Sequence, residues 1–474
     1  MAIPWAGAGL ALGWRSNGTR PRLLPAVCLA HTFLTFWLFL APPPPSVRAW
    51  MAFDAPARAL LPAVSLLFLL CSFYAVAYLR LRAERPNRVF IGSWLGLLGL
   101  LSLALQARHL GLLWIAAEGA TLATVPLLHF NGTARAYEAT WKYLLVGGTG
   151  MALCLLGSFC LGYASVYQGG MGDLTFDALA AQGRLLQGPW LTTAWVLLLA
   201  GYGTKMGLAP MHTWKPDAYG EAPGVVGAVL AGGLTTMAFV AILRAKQVMA
   251  AAGAGGMAST TMLALGLFSM LVAAFFLLGT PDFKRMLAYS SVEHMGILSL
   301  GAALGGGGLW AALFHVWSNS LTKGALFLSA GNLRRAAGAR TIPEVSGMIW
   351  RCPVSARLMV VGMLAITACP PFGPFFSELN LMRAAFESAR SLVMAVFLAG
   401  LLLAFLGMTR LVFAVVDGRP RRAMPGSATT VPESPGLWLP PLLFLLASLL
   451  LGLAAPAALT DAWTAAARQL APTP

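Results

Sequence analysis

Apolar runs of roughly 20 residues, each long enough to cross a bilayer, follow one another along nearly the whole chain. They fall near 23–41, 59–80, 90–107, 109–130, 141–166, 190–211, 222–244, 260–280, 286–305, 308–331, 356–386, 392–416 and 437–458. A weaker run at about 3–14 brings the series to about fourteen. In hydrocarbon every backbone donor and acceptor has to be satisfied within the chain, so runs of this length fold as helices. The expected fold is an all-α polytopic membrane protein. With 58% hydrophobic and only 10% charged residues among 474, the chain carries more apolar surface than a water-soluble domain could hide. No soluble domain interrupts the series. The longest polar stretches, about 167–189 and 417–436, are loops rich in Gly, Pro and small residues.

A net charge of +16 would suit nucleic acid, but the basic residues sit in short loops between apolar runs, so no nucleic-acid partner is expected. Loops leaving the odd-numbered runs carry Arg15, Arg20, Arg22, Arg80, Arg82, Arg85, Arg88, Arg135, Lys142, Lys215, Lys284, Arg285, Arg334, Arg335, Arg340, Arg351, Arg357, Arg410, Arg419, Arg421 and Arg422. That set is more than twice the opposite one, which holds Arg48, Arg58, Arg108, Arg184, Arg244, Lys246, Arg383, Arg390 and Arg468. The bias predicts that both termini face away from the cytoplasm, which for a bacterial cytoplasmic (inner) membrane protein is the periplasm. The N-terminus has no leading basic region and reads as a short first span, not a cleaved signal. The six cysteines show no CxxC spacing, so no disulfide framework, zinc site or iron–sulfur cluster is expected, and no cofactor or metal is assigned to this chain.

Two runs are interrupted alike. The seventh breaks at Gly201, Gly203, Gly207 and Pro210, the twelfth at Pro370, Pro371, Gly373 and Pro374. Each break places a titratable side chain, Lys205 in GYGTKMGLAP and Glu378 in PPFGPFFSELNLM. Broken helices at corresponding places point to an inverted repeat around an ion site near the midplane. Runs 4–8 and 9–13 are then two inverted five-helix repeats within a single integral membrane domain. Residues 1–88 hold helices 1–3, 89–250 repeat one, 258–416 repeat two, and 437–474 helix 14 with a C-terminal tail. Backbone groups freed at such depth need water or protein partners, which implies a hydrated interior.

Only six of the 32 Lys and Arg residues are Lys, and two of them, Lys205 and Lys323, lie deep in apolar runs. An amine at membrane depth reads by default as part of an ion or proton path. Arg stays charged, whereas a desolvated Lys can release its proton near neutral pH. Glu118, mid-way along the fifth run, is either a protonated structural acid or a carboxylate coupled by charge to a lysine on a neighbouring helix. In the eleventh run His315, Asn319 and Lys323 stand at i, i+4 and i+8 on one helical face, flanked by Ser318 and Thr322. Such a stripe serves as helix–helix glue or as a relay.

In DFKRMLAYSSVEHMG, Lys284 and Arg285 read as snorkelling boundary residues, with Lys284 kept as a possible relay member. Glu293 and His294 lie deeper, and histidine can titrate near physiological pH. Glu378 would end the polar line. Asp217 and Glu221, in HTWKPDAYGEAP, read as stabilisers of an interfacial loop, His212 fits either role, and Asp54 pairs with a basic loop residue. The glycine run 305–308 is not followed by Lys-Ser/Thr and so is no nucleotide loop. No hydrolase constellation stands out.

At these motifs the chain resembles the proton-pumping, antiporter-like membrane subunits shared by respiratory complex I, Mrp-type sodium/proton antiporters and membrane-bound hydrogenases. The blocks GYGTKMGLAPMHTWKPDAYGEAP and DFKRMLAYSSVEHMG carry the likeness. SSVEHMG, in place of the complex I-like SxxSQxG, is most similar to the component F branch of the hydrogenase-4 and formate hydrogenlyase type. The resemblance implies fourteen helices with two inverted five-helix repeats. It makes Glu118 the acid at a subunit interface acting on Lys205, His315 and Lys323 the central relay, and Glu378 the terminal proton-exchange site. It implies further antiporter-like and anchor membrane subunits as partners, and a hydrophilic redox module with nickel–iron hydrogenase-like and iron–sulfur subunits. Any oxidoreductase activity would then belong to that complex, this chain having no redox site.

Alternative readings are a subunit of an Mrp-type sodium/proton antiporter or of an NADH:quinone oxidoreductase, and a membrane anchor without ion flux. The chain departs from the family pattern in places. Asn319 stands where a second His is common, the eighth run has no buried Lys, and Lys215 and Tyr219 replace the Leu and His usual in the WLPDAH-like loop. It also ends soon after the fourteenth run, without the long lateral helix of the largest complex I antiporter-like subunit.

Overall fold

The computed structural model describes residues 2–44, 49–167, 169–170, 172–186, 188–339, 341–417 and 432–471, and every long element in it is a helix. No strand forms among the described residues; three isolated bridges join loop residues near helix ends. Arg48, Arg340, Arg419, Arg421 and Arg422 lie outside the described residues, as do the side chain of Arg184 and most of the 417–436 loop.

The N-terminal helices are α1 (Ala2–Gly13), α2 (Leu23–Leu40) and α3 (Ala55–Arg80). Then come α4 (Arg88–Gln106), α5 (Leu110–Leu128), α6 (Ala134–Tyr167), α7 (Pro189–Met206), the short α8 (Trp214–Glu221) and α9 (Gly224–Ala251). The second half holds α10 (Gly255–Gly279), α11 (Phe283–Leu304), α12 (Gly306–Ala337), α13 (Pro353–Ile366), α14 (Gly373–Glu387) and α15 (Ser391–Val416). Two C-terminal helices follow, α16 (Pro435–Leu453) and α17 (Ala457–Leu470).

Among the described residues nine helices are long and apolar enough to cross a membrane. The other expected spans fall short for physical reasons. Helix α1 is a short apolar piece, α13 and α14 are the halves of a break, and α7, α11 and α12 are diluted by polar side chains that face inward. The most apolar helix, α15, buries only 28% of its core window and lies at the periphery, whereas α9 is buried all round and runs through the centre. A π-turn at Leu230–Leu234 interrupts α9.

Helix α12 is the hub. It packs against α3, α9, α11, α13, α14, α16 and α17, so its polar stripe looks onto protein on every side. The C-terminal tail expected after helix 14 contains a further helix, α17. Trp463 docks it on α12, with ring centroids 5.0 Å from Phe314 and 5.7 Å from Trp310.

Two basic residues move from their expected places. The sequence puts Arg244 and Lys215 in loops, and the structure buries both completely. Arg244 lies within α9 and makes a bidentate pair with Asp54 (2.8 and 3.0 Å), whose carboxylate also caps α3 by accepting from the Ala57 N–H (3.1 Å). Asp54 therefore pairs with a buried helix residue and not a loop cation.

Candidate functional site

The first break begins where Gly207 takes a left-handed conformation (φ 81°), which only glycine adopts cheaply, and ends α7. Lys205 is thus in the last turn of α7, where the helix dipole favours a cation. Its side chain is fully buried. The Nζ donates to Thr121 Oγ1 on α5 and lies 5.5 Å from the centroid of the Tyr143 ring on α6. A Cβ at Gly147 of α6 would come within 2.9 Å of that Nζ, so the pocket needs the missing side chain. Glu118 sits one turn before Thr121 on the same face of α5, within Coulombic reach of Lys205. It is half-buried, and its Oε2 has no hydrogen-bond partner among the described residues.

Beyond the break the chain turns back into the core as α8. Trp214 donates Nε1–H to Thr204 O (2.8 Å) and packs edge-on against Tyr143 (5.1 Å). Tyr219 packs against Phe327 of α12 (5.4 Å). The outer face of α8 is held by charge. Asp217 pairs with Lys142 (3.0 Å) and Arg285, and Glu221 with Arg334 (3.5 Å). Lys284 is buried and turned inward, not snorkelling: its amine donates to the carbonyls of Gly220 (3.1 Å) and Ala222, at the C-terminal end of α8.

The central residues lie where α11, α12 and α14 meet. Lys323 donates to Ser290 Oγ (2.7 Å) and Leu287 O (3.4 Å) on α11, and Glu293, three residues along from Ser290, is within its Coulombic reach. One turn down α12, Asn319 is buried with its Oδ1 unpartnered among the described residues. A further turn down, His315 Nε2 is hydrogen-bonded to His294 Nδ1 (2.9 Å), the rings stacked at 5.1 Å. His315 Nδ1 is bonded on its other side to Ser377 Oγ (2.8 Å) on α14, and Ser377 donates to Pro374 O (2.9 Å) in the second break. Which nitrogen carries the proton depends on the tautomer, so the same contacts can exist with the proton on either ring. Glu378 is buried beside them with both carboxylate oxygens unpartnered among the described residues.

His294, His315 and Glu378 each offer one ligand atom within 4.8 Å of the others. Two imidazoles and a carboxylate suit zinc, but the facing nitrogens of the histidines are already joined to one another. The geometry serves sharing of a proton more directly than coordination.

The structure thus gathers Glu118 with Lys205, Lys323 with Glu293, and His294 with His315 and Glu378; Asn319 stands between the last two groups, and Lys284 belongs to the end of α8. Three residues of these clusters, Thr121, Ser290 and Ser377, escape the sequence reading, and Lys215, buried on α8, is read there as a loop cation. The three hydroxyls leave no signal, because Ser and Thr are common in membrane helices. Thr121 does fall at i+3 from Glu118 and Ser377 adjoins Glu378. Lys215 lies in text whose Pro, Asp and Gly suggest a surface loop.

Residues 107–406 match the family described as NADH:quinone oxidoreductase/Mrp antiporter, TM, and the chain belongs to this family of antiporter-like membrane subunits. A hydrogenase-4 component F homolog of Methylacidiphilum infernorum is 38% identical over 70% of this chain and 71% of its own length. The NADH-quinone oxidoreductase subunit N of Desulforudis audaxviator is 31% identical over 87% of this chain and 81% of its own. In fold, the chain is similar to a subunit of the Mrp complex from Dietzia (TM-score 0.87, 23% identity, covering 100% of this chain and 96% of that one). It is equally similar to a chain of an archaeal membrane-bound sulfane sulfur reductase (TM-score 0.88, 20% identity, 99% and 96% covered).

Proposed function

We propose that this chain is the proton-translocating antiporter-like subunit of a hydrogenase-4 or formate hydrogenlyase-like complex, coupling electron transfer in partner subunits to ion movement. Its partners in this reading are further antiporter-like and anchor membrane subunits and a hydrophilic module of nickel–iron hydrogenase-like and iron–sulfur subunits. It sits in the bacterial inner membrane with both termini periplasmic, and its two broken helices belong to two inverted five-helix repeats. The 38% identity to a component F homolog supports the choice of complex.

The observation that carries the reading is the placement of titratable groups. Glu118, Lys205, Glu293, Lys323, His294, His315 and Glu378 are distributed from one break to the other, and all but Glu118 are buried. Buried charge without function is rare in membranes because each unpaired group costs several kcal/mol. In the proposed cycle Glu118 biases the proton on Lys205 by charge. Lys323 and the His294–His315 pair hand the proton inward, and Glu378 exchanges it at the end. The test is Lys205→Ala in the intact complex, reconstituted in vesicles with a fluorescent pH probe. Redox-driven proton uptake disappears while the complex assembles normally; unchanged uptake refutes the reading.

A second reading rests on the relative that aligns with 87% of this chain, an NADH-quinone oxidoreductase subunit. In that case, or for an Mrp-type sodium/proton antiporter, the same path works with other partners. Subunit composition separates them: nickel–iron and iron–sulfur proteins co-purifying support the first, small Mrp-type subunits or an NADH-oxidising module the others.

A further inference from the structure

A third lysine stands between the Lys205 pocket and the Lys323 helix, and the path above does not use it. Lys215 is fully buried on α8, and its Nζ has no hydrogen-bond partner among the described residues. The aromatic face nearest to it on its own helix is the Tyr219 ring, with the centroid 5.8 Å away. Its stem lies against Gly207, the residue that ends the helix carrying Lys205, so closely that a Cβ at 207 would collide with it. On the other side Lys215 is an electrostatic neighbour of Lys323, His294 and His212. The helix that carries it is fixed at both ends to these clusters, by Trp214 on Thr204 O and by Tyr219 on Phe327.

A lysine kept for architecture at this depth is expected to be matched by acceptors. Lys284 is matched by the Gly220 and Ala222 carbonyls, and Arg244 by Asp54. Among the described residues Lys215 has neither kind of partner. A fully buried, unmatched amine on a flexible stem, next to one lysine's helix end and within the field of another, is placed as a carrier.

We propose that Lys215 is the middle carrier of the proton path, taking protons from the Lys205 side and passing them toward Lys323 and His294. The inference rests on the proton-translocation reading above. The step is proton transfer alone. An N–H bond of the Lys205 ammonium breaks, the proton crosses by way of water and bonds to the free electron pair of the Lys215 amine, and Lys205 is left neutral. Charge on Lys215 and on Lys323 repel through the low-dielectric interior, so arrival at one favours departure from the other.

The experiment compares Lys215→Met, Lys215→Arg, Lys215→His and Lys205→Ala in the intact complex, reading redox turnover, proton uptake in vesicles and the amount of assembled complex. Lys215→Met and Lys215→Arg are expected to lower the protons moved per electron at least tenfold, since Met cannot take a proton and Arg does not release one. Lys215→His, which can do both, retains measurable uptake. Should Lys215→Met fail to assemble, Lys215→Arg decides alone, its loss of uptake supporting the proposal and normal uptake overturning it. Normal uptake in Lys215→Arg with none in Lys205→Ala sinks this inference and leaves the function standing. Normal uptake in Lys205→Ala removes the function itself, and the inference with it.

Discussion

The two breaks present opposite charges in opposite ways. At the first, Lys205 precedes the break, in the final turn of α7, and is held by a hydroxyl on α5 and an aromatic ring on α6. At the second, Glu378 follows the break, in the second turn of α14, with neither oxygen bonded among the described residues. The lysine lies in the last turn of its helix, where the dipole favours a cation, whereas the acid stands beyond the first turn of α14 and gains little from its dipole. The chain also enters both breaks in a left-handed conformation, at Gly207 (φ 81°) and Ala368 (φ 57°). What differs is restraint. The lysine rests on a hydroxyl and an aromatic ring, while the acid is the third group beside the His294–His315 pair, with no hydrogen bond of its own among the described residues. A single proton acceptor with a fixed partner suits a gate; a loosely held member of a triad suits exchange.

That contrast predicts unequal damage. Lys205→Ala removes the amine that the last turn of α7 carries into its break and is expected to abolish proton uptake in vesicles. A comparable total loss from substitutions at the second break would erase the distinction. Asp54→Ala serves as the control that touches neither break. It leaves the Arg244 guanidinium buried without its carboxylate and should lower stability by about 3–5 kcal/mol, read as a lower unfolding temperature in detergent. Selective loss of uptake with normal stability would instead tie Asp54 to the path. Glu378→Gln keeps the shape and removes the titration, and with the histidine pair still present uptake should fall about a hundredfold, the smaller end of what loss of one proton-transfer group does. Thr121→Val deprives Lys205 of its hydroxyl, worth about 1.5–3 kcal/mol for a bond to a charged group, and slows uptake several-fold. Ser377→Ala takes one partner from His315, which keeps His294, for about 0.5–1 kcal/mol. If Ser377→Ala proves more harmful than Thr121→Val, the second break is the tighter of the two.

Much of this placement was legible in the residues. The glycines and prolines of both interruptions mark where α7 and α13 end, because backbone restrictions act locally and need no tertiary context. The i, i+4, i+8 spacing of His315, Asn319 and Lys323 likewise puts them on one buried face of α12 whatever surrounds it. Lys215 and Lys284 were not legible. Their neighbours are polar and turn-forming, and only the return of the chain as α8 carries one inward and turns the other onto its carbonyls. Partners across helices, such as Ser377 for His315, depend on which helices touch, and periodicity within one helix says nothing of that. Arg244 shows the same limit. Its place at the end of an apolar run suggests a loop, whereas Asp54, 190 residues earlier, draws it into the interior.

The last described helix reaches back to the start of α3: Gln469 accepts from the Ala55 N–H (3.1 Å) beside Asp54, across 414 residues, and its carbonyl accepts from Gln247 on α9 (3.0 Å). A contact of that span cannot form before residue 469 has been synthesised. Until then the nascent protein holds its charged residues in an unsealed bundle, so insertion machinery or neighbouring subunits have to shield them during biogenesis.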